Sequence, residues 1–381
     1  MTGTAPPHDA RNPAALPRRG APPVLLVLWV VASVLAVAAL VGVRYGALLL
    51  VGLALGMTLE GLRFGFSGPW RAMILRREPA GLIAQLVAIG IVAAAAFPIL
   101  AAADGSVIGA HAPLSAAMVP AAFLFGAAMQ VILGCGSGTL VNAGSGNAVA
   151  AVALPFFALG SFLGATHVQW WTDLAALPPV VLSGPGGLGL TLLGLAAVAG
   201  LALWRAAPGK RAIPRRLWIA AVLVGVFAIL NLVVAGQPWG VVYGLGLWFA
   251  KGVTALGGDL SGWPFWGAPA NVERLQASVL TDVTSLTNFG LIGGAFLIAA
   301  WRRGGMAAKV APLPARAWIA AIAAGIVLGY TSRVAFGCNV GAFFSGVSTG
   351  SLHGWVWFAA AFAGSYLGIW LRPRLGLEPR T

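Results

Sequence analysis

The sequence predicts an all-α polytopic membrane protein of about ten spans, and three observations lead to that fold class. First, 59% of its 381 residues are hydrophobic, 8% are charged, and the mean hydropathy is +0.91. A soluble globular domain carries roughly 25% charged residues, so this chain has too few polar side chains to cover its apolar ones. Second, apolar runs of about 17 to 25 residues recur, the length that crosses a bilayer. Third, basic residues lie mostly in the short links between those runs.

Ten apolar segments are expected to cross the membrane. They cover residues 23–43, 45–60, 81–102, 117–133, 147–165, 181–204, 217–235, 283–300, 317–332 and 352–371. The second segment is short and rich in glycine, which favours a broken or re-entrant helix. Residues 241–256 are another candidate for such a helix and are left out of the count.

The charges of the links predict that both termini lie in the cytoplasm. Links 103–116 and 166–180 contain no Lys or Arg and are expected outside, whereas Arg44 is an exception in a short outer turn. Lys and Arg mark cytoplasmic links. The basic residues assigned to the cytoplasm are Arg63, Arg71, Arg76, Arg77, Arg205, Lys210, Arg211, Arg215, Arg216, Arg302, Arg303, Lys309, Arg316, Arg372, Arg374 and Arg380. We therefore expect a disordered cytoplasmic tail at 1–21, one transmembrane domain at 22–371 and a second cytoplasmic tail at 372–381.

The net charge of +14 does not indicate nucleic-acid binding, because the basic residues are explained by the links. It weakly favours an anionic substrate. The sequence has no P-loop, HExxH, CxxC or His-rich tract, so ATP-driven and zinc chemistry have no support. We expect a transporter driven by a gradient or by facilitated flow, with no enzymatic activity, no cofactor and no metal site.

The chain also repeats itself at an offset of 203 residues. Residues 131–138, VILGCGSG, match residues 334–341, VAFGCNVG, and after one residue of slippage 160–164, GSFLG, match 364–368, GSYLG. The two Cys loops follow spans that run in opposite directions in the predicted topology. We therefore predict a five-plus-five inverted repeat, with repeat one at about 22–180 and repeat two at about 181–371. Transporters built on this plan bind substrate near the midplane with interrupted helices.

The two Gly-rich Cys loops are the candidate substrate site. Each Gly costs a helix roughly 1 kcal/mol relative to Ala, so these loops are expected to be unwound, with backbone N–H groups free to bind an anion. The alternative is that the small residues only permit close helix packing. The candidates in the loops are Cys135, Cys338, Gly134, Gly136, Ser137, Gly138, Gly337, Asn339 and Gly341.

A thiol in each loop favours a sulfur-bearing anion, because a protonated buried Cys is a polarizable donor that carries no charge to repel it. The alternatives are that Cys135 and Cys338 only fill space or form a disulfide. Arg333, five residues before Cys338, is a candidate to attract anions at the outer mouth, or a residue that reaches to the interface.

Two acidic residues near the apolar runs are given local roles. Glu60 and Arg63 are three residues apart and are predicted to pair on one helical face, with simple anchoring as the alternative. Asp282 is predicted to cap the helix that follows it.

Four segments resemble the YeeE/YedE family of bacterial membrane proteins: RFGFSGPWRAMILRR, GCGSGTL, LTDVTSLTNFG and SRVAFGCNVGAFFSGVSTGSLHGWVWFAAAFAGSYLG. The resemblance covers nearly the whole chain after the N-terminal tail. It implies an inner-membrane protein that takes up thiosulfate along a central path lined by cysteines on re-entrant loops, so Cys135 and Cys338 would contact the substrate in turn. Thiosulfate transporters of the family carry a further Cys in the segment that matches 63–66, where this chain has Gly65.

These expectations combine into an inner-membrane uptake transporter for a small sulfur-containing oxyanion, with thiosulfate the leading candidate and the lipid bilayer as its surroundings. Arg63 and Gly65 join the candidate substrate-binding residues. The missing third thiol leaves room for another sulfur or selenium anion. One alternative is a membrane redox or sulfur-transfer component whose reactive thiols hand sulfur to a cytoplasmic sulfurtransferase. Another is a structural membrane scaffold without flux.

Overall fold

The structure, a computed structural model, describes residues 22–303 and 313–378, and these residues are mainly helical. The predicted tail at 1–21, Lys309 and Arg380 lie outside the described residues. Two short antiparallel strands pair across the predicted outer links, β1 (Leu114–Ser115) with β2 (Ala176–Leu177). The helices are α1 (Pro23–Val41), α2 (Val43–Gly61), α3 (Ser67–Arg76), α4 (Ala80–Ala102), α5 (Met118–Ile132), α6 (Gly136–Gly144), α7 (Ala148–Leu174), α8 (Gly184–Trp204), α9 (Arg215–Ala235), α10 (Val242–Ala255), α11 (Pro269–Gln276), a 3₁₀ turn (Val279–Thr281), α12 (Val283–Arg303), α13 (Ala315–Val334), a π-helical segment (Asn339–Gly346) and α14 (Leu352–Arg374).

Within the described ranges, ten helical segments are long and apolar enough to cross a membrane, which confirms the predicted all-α polytopic fold. Two of them, Met118–Gly144 and Ala315–Gly346, contain an interruption just before a cysteine. Three further helices are short: α3 with 10 residues, α10 with 14 and α11 with 8. At about 1.5 Å per residue they cannot cross a hydrocarbon core of about 30 Å.

The second span is a continuous helix, so the expectation of a broken or re-entrant helix at 45–60 was wrong. The glycines of α2 serve packing against α12. A Cβ on Gly52 would lie 2.7 Å from the Thr287 carbonyl oxygen, and one on Gly56 would meet the backbone of Leu291. Glycine in a membrane helix marks a close helix contact as readily as a break, and the sequence of this segment does not separate the two.

The helices around the cysteines pack in a reciprocal pattern. Helix α5 packs on α14, and α13, at the equivalent place in the sequence repeat, packs on α7. Gly126 of α5 lies against the backbone of Ala361, and Gly329, 203 residues later, lies against the backbone of Phe157. The two sequence repeats thus make the same contacts with their partners exchanged. A second such set of contacts joins Gly160 to Ile326 and Gly364 to Phe123.

Arg44 has a structural role that explains its place in a link predicted to lie outside. Its guanidinium donates to the carbonyl oxygens of Val234 and Ala235, both at 2.8 Å, at the C-terminal end of α9. Those carbonyls have no partner within their own helix, and a basic side chain stabilises them.

The C-terminal helix is longer than the sequence analysis expected. Span ten was predicted to end at residue 371, whereas α14 continues to Arg374. Beyond it, the Glu378 carboxylate pairs with Arg71 at 2.6 Å and with Arg372 at 2.9 Å. Residues 372–378, predicted to begin a tail, are therefore packed against α3.

Candidate functional site

Each cysteine follows a helix that ends in the left-handed region of backbone space. Leu133 has a φ of 55° and Phe336 a φ of 57°, an uncommon conformation for residues with side chains. Cys135 and Cys338 are then extended, with φ values of −80° and −96°. A new helix begins at the next residue in both cases. The two Cys loops therefore follow the same backbone course, at positions 203 residues apart.

The first Cys loop folds around its own sulfur. Cys135 is fully buried, and its Sγ accepts a hydrogen bond from the Gly138 N–H at 3.4 Å. The Ser137 hydroxyl lies 3.4 Å from the same sulfur. Gly134 permits the tight turn, because a Cβ there would lie 2.8 Å from the Thr139 hydroxyl. The loop thus presents neutral donors around Cys135.

The second Cys loop meets the first one. The Cys338 sulfur lies so close to Gly136 that a Cβ on Gly136 would be 2.8 Å away from it. Cys338 is fully buried, and both cysteines are free thiols, so the disulfide left open by the sequence is not formed. The structure therefore brings the two predicted cysteines to one place.

On one side of this contact lies a cavity of about 470 Å³, here named the Arg333 cavity. Gly337 and Gly341, which flank Cys338, form part of its wall. Other parts come from the start of α10 and from the links predicted to lie outside. These other lining residues include His111, Val168, Gln169, Thr172, Gly240, Val241 and Tyr243.

Arg333 is held in this cavity by aromatic rings. Its guanidinium carbon lies 4.7 Å from the ring centroid of Phe265 and 5.7 Å from that of Tyr243. The Arg333 Nε is buried and has no hydrogen-bond partner within the described residues. By contrast, Arg274, which also lies over Tyr243, pairs with Asp282 at 3.8 Å. Arg333 thus keeps donor capacity for an anion.

A second cavity of about 210 Å³, here named the Arg63 cavity, shares no lining residue with the first. Ser137 and Gly138 of the first Cys loop line it, together with Gly65 and Arg63. Arg63 pairs with Glu60 at 3.1 Å, which confirms the predicted pair. The carboxylate offsets the charge of this guanidinium, so the Arg63 cavity has no comparable unpaired cation in its wall.

Gly65 occupies open space in the Arg63 cavity. A Cβ built on it meets no atom within 4 Å. Its carbonyl oxygen accepts a hydrogen bond of 2.7 Å from the Gln85 side chain, which fixes the backbone. The position at which the resemblance implies a further Cys therefore has room for a thiol in this chain.

Asn339, the residue after Cys338, is buried without a hydrogen-bond partner. Neither its amide nitrogen nor its amide oxygen is bonded within the part of the chain that the structure describes. An unsatisfied buried polar group costs about 1 to 3 kcal/mol. A polar ligand that reached the Cys loops would supply the missing partner.

The residues that complete the site from the side of α10 were not predicted from the sequence. Tyr243 and Phe265 hold Arg333, and a Val241 methyl would lie 3.3 Å from a Cβ on Gly136. A signal for this segment was present. Residues 64–66, FGF, and 239–241, WGV, both place an aromatic residue and a glycine just before a short helix.

Asp282 acts as predicted, since its carboxylate accepts a hydrogen bond from the Ser285 N–H at 2.7 Å near the start of α12. This cap holds the end of α12 beside the Arg333 cavity, whose wall includes Thr284. The cap and the ion pair to Arg274 use the same carboxylate.

Comparison with known proteins gives the family of this architecture. A family model described as "Sulphur transport" matches residues 62–367. The probable transporter YedE of Salmonella typhimurium is 28% identical over 150 residues, and the probable transporter YedE of Escherichia coli (strain K12) is 29% identical over 150 residues. Each match covers 39% of this chain and 36% of the relative, so the chain matches about a third of the length of these curated relatives. Because the family model spans well over half of its residues, this chain belongs to the sulphur transport family, the YeeE/YedE family.

Proposed function

We propose that this protein takes up a small sulfur-containing oxyanion, with thiosulfate the leading candidate, by passage between its two Cys loops across the bacterial inner membrane. Its family and its YedE relatives support a sulfur-related membrane transporter. The observation that carries the finer proposal is the contact of the Cys338 sulfur with Gly136, with one cavity lined by residues that flank Cys338 and another lined by residues of the first Cys loop.

The Arg333 cavity is the outer entrance in this proposal. Its wall includes Ala110, His111, Ala112, Val168, Gln169 and Thr172. These residues fall in segments 103–116 and 166–180, which contain no Lys or Arg. The Arg63 cavity contains Arg63, from a basic link of the kind that stays in the cytoplasm. The reciprocal packing of the two halves supports the inverted repeat, in which the two cavities are equivalent openings on opposite faces.

An anion that enters the Arg333 cavity first meets the guanidinium. Hydrogen bonds between a charged donor and an oxyanion are about twice as strong as neutral ones. The contacts with the Phe265 and Tyr243 rings keep the Arg333 guanidinium in position to form such bonds. Past that residue, the path offers only neutral groups: the thiols, the amide of Asn339 and loop N–H groups. Neutral donors replace water around the anion without binding it so tightly that it cannot leave.

The anion is released into the Arg63 cavity because the positive charge of Arg63 is offset there. Arg63 is offset by Glu60 at 3.1 Å, so the anion gains less there than beside Arg333. The closure between the cavities consists of one small side chain against a glycine. Because Cys338 and Val241 are buried, opening requires rotation of the Cys338 side chain to another staggered position together with a displacement of its neighbours, which moves the sulfur away from Gly136.

Uptake of radiolabelled thiosulfate by proteoliposomes with the purified protein tests the proposal. We expect Cys338→Ser and Cys135→Ser to reduce the initial rate strongly, because a hydroxyl is smaller and less polarizable than a thiol. Ser33→Ala, on α1 outside the walls of both cavities, is the control. Full uptake by the double Cys→Ser variant contradicts the thiol role. Competition by selenium anions determines which chalcogen the path prefers.

Sulfur transfer by reactive thiols makes a different prediction. It requires that the thiolate of Cys135 or Cys338 attack the outer sulfur of thiosulfate and release sulfite, which leaves a persulfide on the cysteine that mass spectrometry detects. Both hypotheses require thiosulfate to reach a buried thiol, so the persulfide itself is the observation that distinguishes them. A persulfide that a cytoplasmic sulfurtransferase consumes would instead favour the transfer reaction, and absence of any flux would indicate a structural scaffold.

A further inference from the structure

A surface groove of about 430 Å³ lies where α3, α4, α8 and α14 meet, away from both cavities. Its walls are apolar along most of their length, and one end carries two guanidinium groups. Helix α8 is loosely packed, with 22% of its most apolar window buried. The groove therefore faces the surroundings of the protein. Its principal lining residues are Val198, Leu201, Phe362, Tyr366, Arg77 and Arg205.

The backbone brings the two arginines of the groove together. Arg77 caps the C-terminal end of α3, and its carbonyl oxygen accepts a hydrogen bond of 3.0 Å from the Ala207 N–H, just beyond α8. This bond joins two loops that are distant in sequence. Arg205 in turn lies over the ring of Trp204, with its guanidinium carbon 5.0 Å from the ring centroid. Both guanidinium groups are exposed at the end of the groove.

The carboxylate of Glu78, which follows Arg77 in the sequence, already forms ion pairs with other basic residues. Glu78 pairs with Arg76 and with Lys210, each at 2.9 Å. Within the described residues, neither Arg77 nor Arg205 forms an ion pair. The polar end of the groove thus carries positive charge that is not neutralised, next to a long apolar wall.

We propose that this groove binds an anionic phospholipid. The phosphate lies between Arg77 and Arg205, and an acyl chain follows Val198, Leu201 and Phe362. Basic pockets between membrane helices attract anionic headgroups, and the apolar wall gains from covering the chain. A free phosphate would leave the apolar wall uncovered, and a neutral lipid would leave the two guanidinium groups without an anionic partner. The proposal does not depend on the transported substrate.

Native mass spectrometry of the purified protein with added lipid tests this site. We expect dioleoyl phosphatidylglycerol to be retained in preference to dioleoyl phosphatidylcholine. In the Arg77→Gln/Arg205→Gln variant, its apparent affinity should fall at least about tenfold. Arg211→Gln/Arg215→Gln changes the net charge equally outside the groove and should bind as the wild type does. Equal retention of both lipids, or equal losses in the two variants, would overturn the proposal.

A second variant separates a lipid from a free anion. Val198→Trp fills the groove with a large side chain but leaves both arginines in place. It should displace phosphatidylglycerol, and inorganic phosphate should not compete with the lipid in the wild type. Effective competition by phosphate, or unaltered lipid binding in Val198→Trp, would show that no acyl chain occupies the groove. Thermal unfolding with each lipid gives an independent readout, in which only phosphatidylglycerol should raise the melting temperature of the wild type.

Discussion

Replacement of Gly136 by alanine tests the contact on which the proposed path depends. The new Cβ would lie 2.8 Å from the Cys338 sulfur and 3.3 Å from a Val241 methyl. Nonbonded carbon atoms reach their best attraction at about 3.5 to 4.0 Å, so the sulfur must move by roughly 1 Å. Cys338 and Val241 are both buried, which leaves them little room to yield.

The free-energy cost of Gly136→Ala follows from the short contacts that the new Cβ makes. Overpacking of a well-packed interior costs about 1 to 3 kcal/mol. If the passing anion needs the same space, that cost is added to its barrier. Since about 1.4 kcal/mol corresponds to a factor of ten in rate, the initial rate of uptake should fall by roughly 10-fold to 100-fold.

Two other Gly→Ala variants provide matched controls. A Cβ on Gly138 would lie 3.6 Å from the Cys135 sulfur, an ordinary contact, and a Cβ on Gly200 of α8 would meet nothing within 4 Å. Thiosulfate uptake by proteoliposomes, with melting temperatures measured in parallel, should rank Gly200→Ala near the wild type, Gly138→Ala slightly below it and Gly136→Ala far below both. If Gly136→Ala left both uptake and melting temperature unchanged, the reasoning would be refuted. The added methyl group would then fit beside the Cys338 sulfur without crowding it.

Three further changes address the charges and the open space. Arg333→Gln should raise the half-saturating thiosulfate concentration by about 10-fold to 100-fold, the worth of a charge-assisted hydrogen bond, and an unchanged concentration dependence of uptake would contradict the capture role. Gly65→Cys should fold normally and react with a maleimide faster than the buried Cys135, which mass spectrometry measures; absence of labelling would mean that the Arg63 cavity is closed to the reagent. Hydrogen bonds from Lys210 and Arg76 hold the pKa of Glu78 below its ordinary value of 4.5, so its contribution to stability is present above that pH and is lost as the pH falls through the lowered pKa. Glu78→Gln should therefore reduce the loss of melting temperature on acidification below about pH 5, and identical acid profiles would argue against this pair.

The features that the sequence predicts are those set by local composition and by the repeat. The number of spans follows from apolar length, and the two Cys loops follow from glycine density that a helix does not tolerate well. The contact of Cys338 with Gly136 was not predictable, because it depends on how two segments about 200 residues apart meet. The contacts of Arg333 with the rings of Phe265 and Tyr243 were also not predictable, since no spacing in the sequence relates these three residues. The continuity of α2 was missed because glycine has two structural uses.

The two halves share a backbone plan but differ in charge, and this difference bears on direction. At the offset of 203 residues, the counterpart of Arg333 is Gln130, whose amide donates a hydrogen bond of 3.0 Å to the Ser67 carbonyl oxygen. The equivalent positions thus carry a cation in one half and a hydrogen-bonded neutral amide in the other. Under the proposed mechanism, an anion is captured more readily on the Arg333 side. Capture alone does not set the net flux, because a passive path must run in both directions at equilibrium whatever its affinities. Under the proposed mechanism, Arg333 lowers the concentration needed to load the protein from outside, and accumulation inside depends on a reaction that consumes the anion there.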